Sequence, residues 1–160
     1  MARKIATEDI VGLEGLLDFV RPRHHWVMTT MRRDGRPQIS PVTGGVGPDG
    51  RLLVSTYPSR DKVHNLRRDP QTTICVLSEH FGGAWVQVDG RADITGIPEA
   101  VDGMVEYFRA VSGEHPNWDE YRAAMIRQGK CLLSIEIERW GPIATGGFPA
   151  AVIPLLGEQT

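Results

Sequence analysis

Two Asp-Gly turns, Asp34-Gly35 and Asp49-Gly50, separate three short β-rich runs early in the chain, and they constrain the fold more than any other feature. Asp-Gly supplies the positive φ that tight hairpins need. Links this short cannot carry a strand across to a parallel neighbour. The runs from Trp26 to Met31, Pro37 to Val42 and Leu52 to Thr56 therefore read as an antiparallel meander.

The rest of the chain supplies helices and more strands. Thr7 before Glu8 and Asp9 reads as a helix N-cap, with Ile10, Leu13, Leu16, Leu17 and Val20 at helical spacing until Pro22. Ser59 to Asp69 reads as a helix that turns Val63 and Leu66 inward and ends at Pro70. Strands are expected from Thr72 to Ser78 and from Trp85 to Asp89. Pro98 then opens a helix with Val101, Met104, Val105 and Phe108 on one stripe. Asn117, three residues before Glu120, caps another whose apolar face is Trp118, Tyr121 and Met125. Lys130 to Trp140 is the last strand. The sum is a mainly β, α+β chain: a six-stranded antiparallel barrel, closed or split, with helices packed outside it. At 160 residues, one domain spanning 1–160 is expected.

Composition excludes several classes of function. A net charge of -2, with 41% apolar and 24% charged residues, fits a globular protein with no bulk attraction to nucleic acid or to a membrane surface. No apolar run approaches the roughly 18 residues of a membrane span. The N-terminus turns acidic at Glu8 and Asp9 before a signal-peptide core can form, so a cytoplasmic protein is expected. Cys75 and Cys131 sit in apolar runs and read as buried thiols. The five histidines form no HExxH pattern, and no metal site is expected. Glu114-His115 has no serine or cysteine elbow beside it, so nucleophilic catalysis lacks support. Arg32-Arg33 and Arg67-Arg68 read as solvated surface, without the aromatic-rich strand of an RNA-binding sheet.

The sharpest chemical signal is Ser55-Thr56 at a strand end, followed by Ser59-Arg60-Asp61-Lys62 opening a helix. Hydroxyls, free backbone N–H groups, a guanidinium and an ammonium suit a phosphate. The helix macrodipole disfavours cations at that end, and an anion would offset the cost. The competing reading is a solvated helix start. On the preceding strand, Gln38, Ser40 and Val42 share one face by the period of two, while Pro41 on the other phase lacks a backbone donor. A flat heteroaromatic ring suits such a face. The alternative is plain sheet, with Pro41 marking an edge or bulge. Trp85 and Gln87 form a similar pair, for which core packing is the competing explanation.

Four stretches, taken together, carry a family resemblance: Asp34 to Ser40, Ser59 to Lys62, Asn65 to Pro70, and Gly113-Glu114-His115 through Trp118, Tyr121 and Met125. From about Trp26 to Ile143 the chain resembles the pyridoxamine-phosphate-oxidase-like, FMN-binding split-barrel superfamily, specifically its actinobacterial branch of deazaflavin-dependent reductases. The resemblance implies a homodimer with coenzyme F420, or alternatively FMN, in a groove between subunits. It implies that Arg60 and Lys62 hold the phosphate with Ser55 and Thr56 nearby, that Gln38, Ser40 and Val42 line the ring, and that Trp85 and Gln87 contribute as well.

Pro41 stands where similar proteins often have Asn. Loss of its N–H bears more on FMN, whose N5 often accepts a backbone hydrogen bond, than on the deazaflavin, which carries C–H there. The implied activity is hydride transfer from reduced F420 to a conjugated small molecule, with no catalytic triad needed. An FMN oxidase or reductase and a non-catalytic cofactor carrier are the alternatives. The acidic glutamate tail of F420 is expected to reach cations such as Arg67 or Arg68.

Overall fold

The computed structural model describes residues 4–152. Six strands close into a barrel in the order β2-β3-β4-β7-β6-β5, and every neighbouring pair is antiparallel. They are β2 (His25–Met31), β3 (Pro37–Val46), β4 (Leu52–Thr56), β5 (Gln71–Val76), β6 (Val86–Thr95) and β7 (Cys131–Trp140). Gly35 and Gly50 take positive φ in the two hairpin turns, at 83° and 81°, as the Asp-Gly signals require. The expected meander of β2, β3 and β4 is present.

Alternation decides which side chains fill the barrel. Trp26, Met28, Leu52, Val54, Ile74, Val76, Val86, Val88, Leu133 and Ile135 point inward and are buried. Opposite phases face out, including Val27, Cys75, Gln87 and Asp89. Two helices plug the barrel: α1 (Leu13–Val20) inserts Leu16 and Val20, and α2 (Asp61–Arg68) inserts Val63 and Leu66. A second core lies outside, where α3 (Val101–Ser112) and α4 (Trp118–Gln128) cover Leu53 and Leu132 with Met104, Val105, Tyr121 and Met125. Asn117 caps α4 by accepting the Glu120 backbone N–H at 3.1 Å.

Three local expectations are corrected. Thr7 is not a helix cap: Thr7–Asp9 forms β1, paired with β8 (Ile143–Thr145), and Thr7 and Thr145 hydroxyls lie 2.7 Å apart. The partner strand lies some 136 residues away in sequence, beyond any local pattern. The first helix starts only at Leu13, after extended Gly12, and Ile10 is 90% exposed. Pro98 sits in a turn, with α3 beginning three residues later at Val101. The β5–β6 hairpin also runs longer than its composition suggests, β6 reaching Thr95 because it pairs with β7 as well. No helix among the described residues is long and apolar enough to cross a membrane.

Gly44 fixes how closely β2 and β3 pack. A Cβ there would meet the buried Trp26 ring at 2.0 Å, and that ring is tied down by Nε1 donating to the Arg23 carbonyl at 2.8 Å. Gly44→Ala is expected to destabilise the fold by about 1–3 kcal/mol through overpacking. The check is a lowered urea midpoint with an unchanged slope.

Candidate functional site

The barrel has an open seam. β3 pairs with β4 only over Gly44–Val46, whereas it pairs with β2 along Pro37–Thr43. The N-terminal part of β3 therefore has a strand on one side only. Gly44 N–H donates to His24 C=O, so even-numbered β3 residues direct their backbone groups at β2. Odd-numbered Ile39, Pro41 and Thr43 direct theirs into the seam, and Thr43 C=O accepts from the Tyr107 hydroxyl at 3.2 Å there. Pro41 sits where a strand edge tolerates a missing donor.

Facing this edge is the free end of β4, Ser55 and Thr56, which leads through Tyr57 and Pro58 into the start of α2. Ser55 and Thr56 diverge by strand alternation. Ser55 Oγ donates to Met104 Sδ at 3.6 Å beneath α3, and Thr56 lies on the inward phase across from Cys131. Arg60 is the N-cap of α2, extended and exposed, with its carbonyl accepting from Val63 N–H at 2.9 Å. Ser59 makes no side-chain cap. Lys62 in the first turn is half-buried. Burial pushes its pKa down, the neighbouring Arg60 charge pushes it further, and Asp61 opposes. Neither Arg60 nor Lys62 forms an ion pair among the described residues.

Gln38, Ser40 and Val42 share one face, and it is the inward one, opposite Thr30, Met28 and Trp26. Val42 packs on the core. Gln38 Oε1 accepts from Thr30 Oγ1 at 3.2 Å, and Thr30 accepts from buried Asn65 Nδ2 at 3.0 Å, which ties β3 to α2. Ser40 Oγ is buried and has no hydrogen-bond partner among the described residues. Buried polar atoms are rarely left so, and this one marks a place where a polar group is wanted.

Trp85 and Gln87 lie elsewhere. They flank a groove of about 360 Å³ on the outer face of β6, with Asp89, Arg139, Trp140 and Pro142. Three steps of the strand order separate β6 from β3, which puts the pair on the opposite side of the barrel from Ser40 and Pro41. The strand ends thus put Pro41, Ser55 and Thr56 at the seam, with β4 leading on to Arg60 and Lys62, while Gln38, Ser40 and Val42 turn into the barrel and Trp85 and Gln87 lie apart.

Local sequence did not point to Lys130. The register Thr56↔Cys131 brings it beside Tyr57, with its Nζ 5.6 Å from the Tyr57 ring centre, adding a third cation near the α2 start. Nor did it point to the outer-face network in which Asp89 accepts from Thr73 at 2.8 Å and from Arg139 at 2.7 Å. Only strand pairing assembles either group.

Solved structures share this architecture. A conserved hypothetical protein from Mycobacterium tuberculosis superposes with a TM-score of 0.71 at 22% identity, over 88% of this chain and 89% of that one. An F420 reductase superposes at 0.58 and 18% identity, over 82% of this chain and 98% of that one. The fold class is thus the six-stranded split barrel. In sequence, residues 14–144 match the pyridoxamine 5'-phosphate oxidase family, and the chain belongs to that family. It is also 26% identical over 125 residues to an F420H(2)-dependent biliverdin reductase from Mycobacterium tuberculosis (strain CDC 1551 / Oshkosh), covering 77% of this chain and 82% of that protein.

The Asp89 network carries a pH dependence. Burial alone raises the Asp89 pKa, but hydrogen bonds from Arg139, Thr73 and Gln87, with the Arg139 charge, outweigh it and bring the pKa below the usual carboxylate value. A depressed pKa contributes stability above the unfolded value, and that stability is lost as pH falls through the folded one. Asp89→Asn is expected to flatten the acid limb of the stability profile by up to about 1 kcal/mol, a modest effect because Arg139, its charged partner, is 83% exposed and screened by solvent. Urea midpoints measured between neutral and acidic pH check this.

Proposed function

We propose that the chain is an F420-dependent reductase, working as a homodimer, that passes hydride from the reduced deazaflavin to a conjugated small molecule. The observation that carries the reading is the half-buried Lys62 beside Arg60 at the positive end of α2. Two cations with no ion pair among the described residues and only Asp61 between them, one losing basicity to burial and to the other, favour a site completed by an anion. A cofactor phosphate suits it. The seam-facing backbone edge of β3 at Ile39, Pro41 and Thr43 suits the polar rim of a planar ring, with the unpartnered Ser40 Oγ on the inward face of the same strand. The M. tuberculosis relative named for F420H(2) supports the same reading.

In this reading Arg60 and Lys62 hold the phosphate, with Lys130 adding charge and the β4 end at Ser55 and Thr56 forming the wall. Gln38, Ser40, Pro41 and Val42 bound the ring. With F420 bound, the chemistry available is two-electron hydride transfer, so the chain's task is to bind, orient and exclude water. Trp85 and Gln87 cannot reach the same cofactor within one chain, since β6 and β3 lie on opposite sides of the barrel. A second copy supplies them, which makes the homodimer part of the site. Sedimentation at micromolar concentration is expected to give about twice the chain mass. A monomer that binds cofactor with full affinity defeats the shared site.

FMN is the second reading, favoured by the seam-directed N–H groups of Ile39 and Thr43 on either side of Pro41. Parallel titration of both cofactors against apo-protein separates the two, and tight FMN binding without F420 affinity reverses the assignment. Stopped-flow oxidation of reduced F420 by an enone or quinone then tests turnover. Tight binding without turnover identifies a carrier.

Arg60→Ala and Lys62→Ala are each expected to weaken F420 binding by roughly 1.5–3 kcal/mol, the range of a hydrogen bond to a charged group, with little change in folding. Because burial and Arg60 lower the Lys62 pKa, wild-type affinity is expected to fall as pH rises through that lowered value, and Lys62→Ala should abolish this limb. Fluorescence titration across alkaline pH checks both.

A further inference from the structure

Two deeply buried polar side chains stand between α2 and the free stretch of β3. Thr30 on β2 is 0% exposed and Asn65 on α2 is 7% exposed. Polar groups at this depth are paired, and the pairing fixes which way each one points.

The directions follow from the one member that can only donate. Arg68 Nη2 donates to the Met31 carbonyl, which holds the guanidinium in place, and to Asn65 Oδ1 at 3.4 Å. An Asn65 amide turned the other way would set N–H against N–H. Asn65 therefore keeps Oδ1 toward Arg68 and gives Nδ2 to Thr30 Oγ1 at 3.0 Å. Thr30 has a single hydroxyl proton, and it goes to Gln38 Oε1 at 3.2 Å. Were the Gln38 amide reversed, that proton would be buried without an acceptor among the described residues, at the desolvation cost of an unpaired donor. Gln38 thus commits its oxygen to the protein. Its Nε2 keeps two protons that no hydrogen bond among the described residues takes up.

Gln38 is half-buried, on the inward face of the stretch of β3 that has no β4 neighbour, so no strand closes over it on that side. Ser40, two residues on and on the same face, carries the buried Oγ without a partner. Lys62 and Asn65 are three residues apart on α2 and share one side of the helix. The side that holds Asn65 against β2 also carries the half-buried ammonium.

We propose that Arg68, Asn65 and Thr30 are positioning residues that hold the Gln38 amide with Nε2 as a fixed donor, so that this face takes a ligand presenting an acceptor, a carbonyl of the cofactor ring. The inference rests on the cofactor reading. FMN and F420 both carry ring carbonyls, and the relay serves either. None of the three residues touches the ligand in this arrangement. A ligand presenting N–H at that point would meet donor against donor and be rejected.

The test reverses the relay from a distance. Asn65→Asp offers two acceptor oxygens, one to Arg68 and one to Thr30. The Thr30 proton then turns toward α2, Thr30 Oγ1 accepts from Gln38 Nε2, and the amide presents Oε1 to the ligand instead. Titration of apo-protein with F420, and separately with FMN, is expected to show about tenfold weaker binding for Asn65→Asp and for Gln38→Leu, the size of a hydrogen bond lost. Because Asn65 acts through Gln38, most of the Asn65→Asp loss should vanish in the Gln38→Leu background. Thr30→Ser keeps the hydroxyl and should keep the affinity. Melting temperatures identify any variant that fails to fold.

A second measurement needs neither ligand nor variant. In NMR of wild-type apo-protein, an Asn65 Nδ2 proton is expected to exchange slowly with water and both Gln38 Nε2 protons fast. Protected Gln38 protons overturn the proposal even where no variant folds. An Asn65→Asp loss that mostly persists in the Gln38→Leu background comes from added charge or a distorted helix and overturns it as well. If neither cofactor binds wild type, the cofactor reading fails and takes this inference with it. Wild-type affinity retained in Gln38→Leu overturns this inference alone.

Discussion

Closure of the barrel is the constraint on which the rest depends. Each strand must find a neighbour on both sides, and β3 does so for only part of its length, pairing with β4 over three residues. The same geometry that buries Trp26 against Gly44 leaves Pro37–Thr43 as a free edge. Sheet edges present unpaired backbone groups and are ordinarily covered or blunted. Here Pro41 removes one donor, Tyr107 covers the Thr43 carbonyl, and the remaining edge faces the end of β4 and the cationic start of α2.

α2 links this seam to the core. Its apolar residues Val63 and Leu66 plug the barrel, and its buried Asn65 reaches Thr30 and through it Gln38. A helix held this firmly presents Arg60 and Lys62 at a fixed position relative to β3. Preorganisation of that kind reduces the ordering cost of binding a charged ligand. It also explains why Lys62 is half-buried, the position that lowers its pKa.

The outer face divides unequally. α3 and α4 cover the β4 and early β7 side with a core of their own. α3 also covers β3 at Gly45, against Ala110, whereas the outer faces carrying Val27, Cys75, Gln87 and Asp89 receive no helix among the described residues, and Ile39, farther along β3, is 60% exposed. An apolar strand face bordered by an organised polar network fits a surface that meets another chain. The proposed dimer places it there, and the opposed positions of Trp85 and Ser40 become complementary.

Local chemistry determined much of this protein. Asp-Gly turns fixed the antiparallel meander, because their backbone requirement and short reach allow little else. The Asn117 cap and the periodic apolar positions of α3 and α4 were equally legible, since a helix is stabilised by residues three and four apart. Arg60 and Lys62 stood out because cations at a helix start run against the macrodipole. The period of two put Gln38, Ser40 and Val42 on one face without saying which side of the sheet that face takes, and only barrel closure turned it inward. β1 escaped because its partner β8 lies at the far end of the chain. Lys130 beside Tyr57, the Arg68 link to the hairpin and the distance between Trp85 and Ser40 are products of strand register and order. Those were decided by tertiary structure, because pairing between distant segments is set by the packing of the whole core and leaves no trace in neighbouring residues.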